Sequence, residues 1–462
     1  MNDPLWRWPE LCAALGLPPA SGPDISGVSI DSRKTGPGDL FVALPGDPGP
    51  RFNASSRSER DGHDFVAHAA GNGAAAALVH REVEADVPLL RTRDTLDALW
   101  AIGRARRAVL TGDIVAVTGS SGKTTAKTLL RAALGAFATE GSLNNHLGVP
   151  LSLARTPRET ASAVFEIGTN HPGEIAPLSE LVRPTVAIVL NVHPAHAEFF
   201  ADAGELRKEK LSIYRGLQGK GHLVVDESVH LDGLPPGIHP VTFGTGPACR
   251  VRLLGQTGGR AGSRASWRAD YDLDGRRVTA TVPGGGPHRA RLMGAVLCVL
   301  SVLERDLEPA LDLPESLIPA GRGNISQVGD ITVVDDSYNA NPESMKAALK
   351  QLGGEPGRKV AVLGEMLELG EEGPAYHADL ATWCEPLDGV VAVGEGIRPL
   401  FDRLLPRQQW LWRDRADGAL LEALAGRLEA GDRVLVKGSN RVFWANRFVA
   451  RFCEALQARG FS

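Results

Sequence analysis

The stretch VAVTGSSGKTTAKTLL, residues 115–130, joins an apolar run to a helix-like segment through two glycines, two serines, a lysine and two threonines. A strand that ends in a glycine-rich turn and opens a helix presents backbone N–H groups and the positive end of the helix dipole to an anion. That local form commits the surrounding chain to an α/β architecture with a phosphate cradle. Lys123 is placed to reach terminal phosphates, and the Thr124 hydroxyl to ligate the Mg²⁺ that bridges them. Gly119, Ser120, Ser121, Gly122 and Thr125 complete the cradle. The common eight-residue motif has glycine where Val117 stands, so TGSSGKTT is a shorter variant. The plainer alternative, a serine-glycine turn before an ordinary helix, does not call for the Lys-Thr-Thr that follows.

The flanking pattern agrees. Apolar runs IVAVTG, AVFEIG, TVAIVLNV and HLVVD alternate with helical segments at about 123–138 and 203–217, which predicts a mostly parallel sheet covered by helices. A β-like region at about 239–283 and an apolar helix near 289–307 follow. After a proline-rich stretch the alternation resumes with ITVVDDS, KVAVLGEM, GVVAVG and RVLVKGS. At 462 residues the chain exceeds what one core sustains. Three domains are expected: 1–107, a small α/β unit; 108–310, the central phosphate-loop domain; and 311–462, a Rossmann-like α/β domain. The segment PGDPGPRFNASSRSERDG in the first reads as an exposed loop.

Composition narrows the function. Formal net charge is -5 and no long basic run is present, which argues against nucleic acid as a partner. Five scattered cysteines, never in a C-x-x-C pair, argue against a disulfide scaffold and a zinc site and favour a reducing cytoplasm. Neither a signal peptide nor an apolar run long enough to span a membrane is read from the sequence. Only ten of the 50 Lys and Arg residues are lysine, so a lysine in a chemically suggestive place draws notice.

Magnesium prefers six oxygens, so the loop needs further ligands. Glu166 in AVFEIG ends a predicted strand, His196 in NVHPAHAEFF follows another, and Lys210 lies in the helix RKEKLSIYRGL. Read singly they are a surface charge, a structural histidine and a solvated lysine. Read together they all follow strands of the sheet that carries the loop, on the rim where open α/β sheets bind ligands.

On these residues, and on DSRKTGPGDLFVALPGD, DGHDFVAHA, GSLNNHLGVPLSL, GTNHPGEI, VVDDSYNANPESM and LGEMLELG, the chain resembles the Mur ligases, the ATP-dependent amide-forming enzymes of peptidoglycan assembly. The resemblance runs through nearly the whole chain, and NNHLGVP, GTNHPGEI and DDSYNANP point to the dipeptide-adding branch. It implies ATP and two Mg²⁺ ions, with UDP-N-acetylmuramoyl-tripeptide and D-alanyl-D-alanine as substrates, in a cytoplasmic monomer. It casts Glu166 and Thr124 as magnesium ligands, His196 as a ligand of a second magnesium, and Lys210 as a carbamylated lysine. Asn339 and Arg322 are implied at ATP, Ser32 and Arg33 at the uridine nucleotide, and Asn145, His146, Asn170 and His171 along the substrate channel. Lys123, Lys210 and His196 are the implied catalytic set. The sequence departs from the family at HAEFFAD after the histidine, at PHRARL where the helix commonly starts with His-Asn, and at KGSNRVFWANR near the end. A related ligase with another acceptor, and an ATP-binding switch that makes no amide, are the alternatives.

Overall fold

The computed structural model describes residues 3–47, 60–139, 141–193, 198–217, 219, 221–258 and 267–461. The loop expected at 45–62 therefore lies largely outside the described residues, as does His196. Among the described residues three sheets carry the chain. The first has four parallel strands in chain order: Gly27–Ser29, Asp39–Val42, Ala76–Val79 and Leu89–Arg91. The second has eight, in the order Arg276–Thr281, Arg268–Leu273, Val251–Thr257, Val241–Gly244, His222–Asp226, Val186–Val189, Asp113–Thr118, Ser162–Glu166. Its first three strands are joined by two antiparallel pairings, and Val251–Thr257 then pairs parallel with Val241–Gly244, so the β-like region extends the central sheet. The third has six strands, Asn324–Val328, Ile331–Asp336, Arg433–Lys437, Lys359–Gly364, Gly389–Val393 and Gln409–Arg413, all parallel except the first. Among the described residues no helix is long and apolar enough to cross a membrane.

The strands Asp113–Thr118, Ser162–Glu166, Val186–Val189 and His222–Asp226 are buried on both faces, which explains why they read as continuous apolar runs. Val115 and Val117 enter one core with the helix Pro287–Val302, while Ile114 and Ala116 enter the other with the helix Ile175–Val182. The helix Lys123–Leu134 buries Ala126, Leu129, Leu130 and Ala133, one face at helical spacing, and stops at Gly135 with φ 59°. Strand order reverses at Asp113–Thr118, which lies between Ser162–Glu166 and Val186–Val189. Such a reversal opens a crevice outside the carboxyl ends of the strands, and the glycine-rich loop emerges there.

The first unit is docked on the second by buried polar contacts. Trp6 Nε1 donates to Ala154 O at 2.8 Å and Arg155 Nε to Val28 O at 2.6 Å. At the end of the helix Thr95–Val109, the buried Arg107 guanidinium donates to Val182 O at 2.5 Å, Leu110 O at 2.8 Å and Arg183 O at 2.6 Å. One cation thus satisfies the terminal carbonyls of two helices. Arg107→Met, which keeps the stem and removes the donors, should lower stability by about 2 kcal/mol, seen as a lower urea midpoint.

Candidate active site

Two glycines shape the loop after Asp113–Thr118. Gly119 has φ 155° and Gly122 φ 81°. A Cβ at either would stand 3.0 Å from a packed side chain, Leu190 for the first and Leu292 for the second. The loop is clamped to the chain that follows Val186–Val189: Ser121 N–H donates to Asn191 Oδ1 at 2.9 Å, Asn191 Nδ2 to Ser121 O at 3.2 Å, and Ser120 Oγ to His193 O at 2.9 Å. The helix begins without a side-chain cap, leaving its first N–H groups for a ligand. Lys123 Nζ donates to Gly119 O at 2.7 Å, and burial pushes its pKa down.

Glu166 is only 3% exposed. Its two carboxylate oxygens accept from Thr124 Oγ1 at 2.9 Å and Asn144 Nδ2 at 2.8 Å, with the Lys127 ammonium 3.9 Å away. A carboxylate and a hydroxyl side by side at the loop are the hard oxygen donors that fit Mg²⁺, which takes one or two protein ligands and completes its shell with phosphate and water. No cluster of three His, Cys, Asp or Glu side chains forms a metal cage among the described residues. Lys210, on the helix Ala203–Leu211, is buried behind this rim. Burial and the nearby positive charge of Lys123 push its pKa down to about 7, against the opposing pull of Glu209.

The third sheet supplies the opposite wall of a cleft of about 520 Å³. Arg322 Nη2 donates to Thr124 Oγ1 at 2.9 Å, and its guanidinium lies 4.1 Å from the centre of the Tyr338 ring. The Tyr338 hydroxyl is 3.2 Å from Ser142 Oγ, itself 3.0 Å from Thr124 Oγ1. Lys437, at the end of Arg433–Lys437, donates to Asp336 Oδ2 at 2.6 Å and Asn339 O at 3.1 Å. Asn339 lines the cleft, and Asn341 caps the helix Pro342–Gly353 through Ser344 N–H at 2.8 Å.

The expected substrate residues are more dispersed. Asn170 is on the cleft wall, its N–H bound to Glu174 Oε2 at 2.8 Å. His171 sits beside Glu174 at 3.3 Å, with its ring 4.3 Å from Phe199. Asn145 accepts from Leu147 N–H at 3.2 Å and Gly148 N–H at 2.9 Å, starting the helix Gly148–Ala154. The His146 carbonyl accepts from Trp100 Nε1 at 2.9 Å. Ser32 and Arg33 form a turn on the first unit, where Arg33 is paired with Asp31 at 2.8 Å. The residues that the sequence reading omitted are Asn144, Ser142, Asn191, Tyr338 and Lys437.

The chain matches the Mur ligase middle domain over residues 117–232 and the Mur ligase glutamate ligase domain over residues 321–440. The UDP-N-acetylmuramoyl-tripeptide--D-alanyl-D-alanine ligase of Escherichia coli (strain K12) is 33% identical over 405 residues, spanning 81% of this chain and 83% of that protein. The chain belongs to the Mur ligase family. The ligase of the same name from Bacillus subtilis (strain 168) is 30% identical across 90% of each chain. Among solved Mur ligases, a crystal structure of MurF from Acinetobacter baumannii aligns with TM-score 0.82 at 30% identity, covering 97% of this chain and 99% of that one. MurF ligase from Thermotoga maritima in complex with ADP aligns with TM-score 0.78 at 28% identity, covering 94% and 98%.

In this Mur ligase, Lys123→Ala removes the ammonium held at Gly119 O and leaves the strand and helix that frame the loop. It should raise the barrier of the ATP-dependent reaction by on the order of 3 kcal/mol, seen as a more than hundredfold loss of ADP release.

Proposed function

We propose that the chain joins the terminal carboxylate of UDP-N-acetylmuramoyl-tripeptide to the amine of D-alanyl-D-alanine at the expense of ATP. The observation that carries this reading is the junction of Thr124, Glu166 and Arg322, where a phosphate loop, a buried carboxylate and a cation of the third sheet meet. The substrate carboxylate attacks the γ-phosphorus, ADP leaves, and an acyl phosphate forms. The acceptor amine then attacks the acyl carbon, inorganic phosphate departs, and a proton is lost from nitrogen. Positioning and charge stabilisation suffice for both steps, so no protein nucleophile is needed.

Two anions must meet in the first step. Lys123 and Arg322 supply positive charge on either side of the cleft, and the loop N–H groups hold phosphate oxygens. Thr124 and Glu166 would hold Mg²⁺, which supplies further charge neutralisation when bound. Arg322 and Tyr338 line the cleft from the side of the third sheet and reach across it to Thr124 and Ser142. The uridine nucleotide is assigned to the first unit at Ser32 and Arg33, and ATP to the face with Asn339. Asn145, His146, Asn170 and His171 are assigned to the approach to the acyl centre, and His196 to a second magnesium. The enzyme is read as a monomer acting in the cytoplasm.

Lys210 is read as a carbamate. A buried lysine crowded by Lys123 is costly as a second cation. Its neutral amine adds to CO₂, forming an N–C bond and losing a proton, and the product is an anionic oxygen ligand. Because the lysine pKa is lowered, the reactive amine is plentiful above about pH 7 and is lost to protonation below it. Lys210→Ala should be inactive and partly restored by added formate or acetate, whereas full activity without rescue rejects the carbamate.

Phosphate release from ATP and UDP-N-acetylmuramoyl-tripeptide, measured across a panel of amines, tests the main reading. D-alanyl-D-alanine should be the strongest stimulant. A different preferred amine makes the chain a Mur ligase of another acceptor, and release indifferent to both substrates makes it a nucleotide switch.

A further inference from the structure

Arg291 lies on the helix Pro287–Val302, three residues beyond His288 and next to Leu292, which packs on the loop at Gly122. All three line the cleft. The Arg291 guanidinium is fixed from one edge. Nε and Nη2 donate to the two oxygens of Asp226 at 3.1 and 3.0 Å, and Nη2 donates again to Glu227 at 3.1 Å. Both carboxylates are themselves held: Asp226 accepts from Ser228 N–H at 2.9 Å, and Glu227 from Thr245 N–H at 2.6 Å and Gly246 N–H at 2.7 Å. Yet 35% of the arginine side chain remains exposed.

Two carboxylates neutralise this cation, so it is a poor ligand for phosphate. What it offers is a rigid, flat face, and a guanidinium face takes an aromatic ring. On the ATP-dependent reading the loop residues Gly122 and Lys123 take the triphosphate, Arg291 lines the same cleft, and the ring tethered to a triphosphate is its base. Arg289, where the family commonly has asparagine at the helix start, cannot serve, because it is buried, 7% exposed, against Gly284 O, Gly285 O and Arg322 O and has no open face.

We infer that Arg291 is the stacking platform for the nucleotide base, selecting purine over pyrimidine by contact area, with Asp226 and Glu227 as its positioning residues. This rests on the ATP-dependent reading and adds a specificity determinant to it. Calorimetric titration with ATP, CTP and tripolyphosphate, without tripeptide or acceptor, tests it. Arg291→Ala should weaken ATP about tenfold, narrow the gap between ATP and CTP, and leave tripolyphosphate, which has no base, unchanged. Arg291→Lys, which keeps charge and loses the plane, should not restore ATP. Unchanged ATP affinity, equal loss of tripolyphosphate, or full restoration by lysine overturns the inference. Should the alanine variant fail to fold, Arg291→Met carries the same expectation. Failure of amide formation would appear in the phosphate-release assay with binding intact, so the two readings fail separately.

Discussion

The cleft depends on one buried carboxylate. Glu166 keeps 3% of its surface, and a charge so placed persists only where donors surround it. Thr124 and Asn144 provide them, and Lys127 stands by at 3.9 Å. Because Thr124 also accepts from Arg322, a single hydroxyl links the end of one strand, the phosphate loop and the third sheet. The strand order serves that junction. With Asp113–Thr118 between Ser162–Glu166 and Val186–Val189, the loop, Glu166 and Asn191 emerge side by side. The third sheet turns its own carboxyl ends, bearing Asp336 and Lys437, toward the same cleft.

Much of this architecture is legible in the sequence because it rests on period and punctuation. Every apolar run named as a strand in the second and third sheets is one, since strands buried on both faces need unbroken apolar sequence. Gly119 and Gly122 mark positions where a Cβ would press to 3.0 Å on a packed leucine and where φ is positive. Loop side chains carry no such period. Asn144 and Asn145 are adjacent and chemically identical, yet the first binds Glu166 and the second caps a helix. Nothing along the chain distinguishes them, because the difference arises from the strand end that Asn144 meets. Asn191 and Tyr338 likewise matter through partners 70 and 196 residues distant. The Arg322 position was readable only through resemblance.

The scarcity of lysine is the compositional clue that the structure explains. Lys123, Lys127, Lys210 and Lys437 gather at or just behind the cleft. Three of them bond main-chain oxygens: Lys123 that of Gly119, Lys127 those of Thr139 and Gly141, and Lys437 that of Asn339 beside the Asp336 carboxylate. A compact ammonium suits such point contacts, whereas the broad guanidinium fork is built for planar ones. Arginine occupies sites that need a plane or a fork, as Arg107 does between two helix ends and Arg322 against Tyr338. The division matters for chemistry as well. Arginine stays charged under all ordinary conditions, whereas a lysine gives up its proton readily when burial disfavours the charged form. Lys210 is buried beside another cation, where the positive form is least favoured.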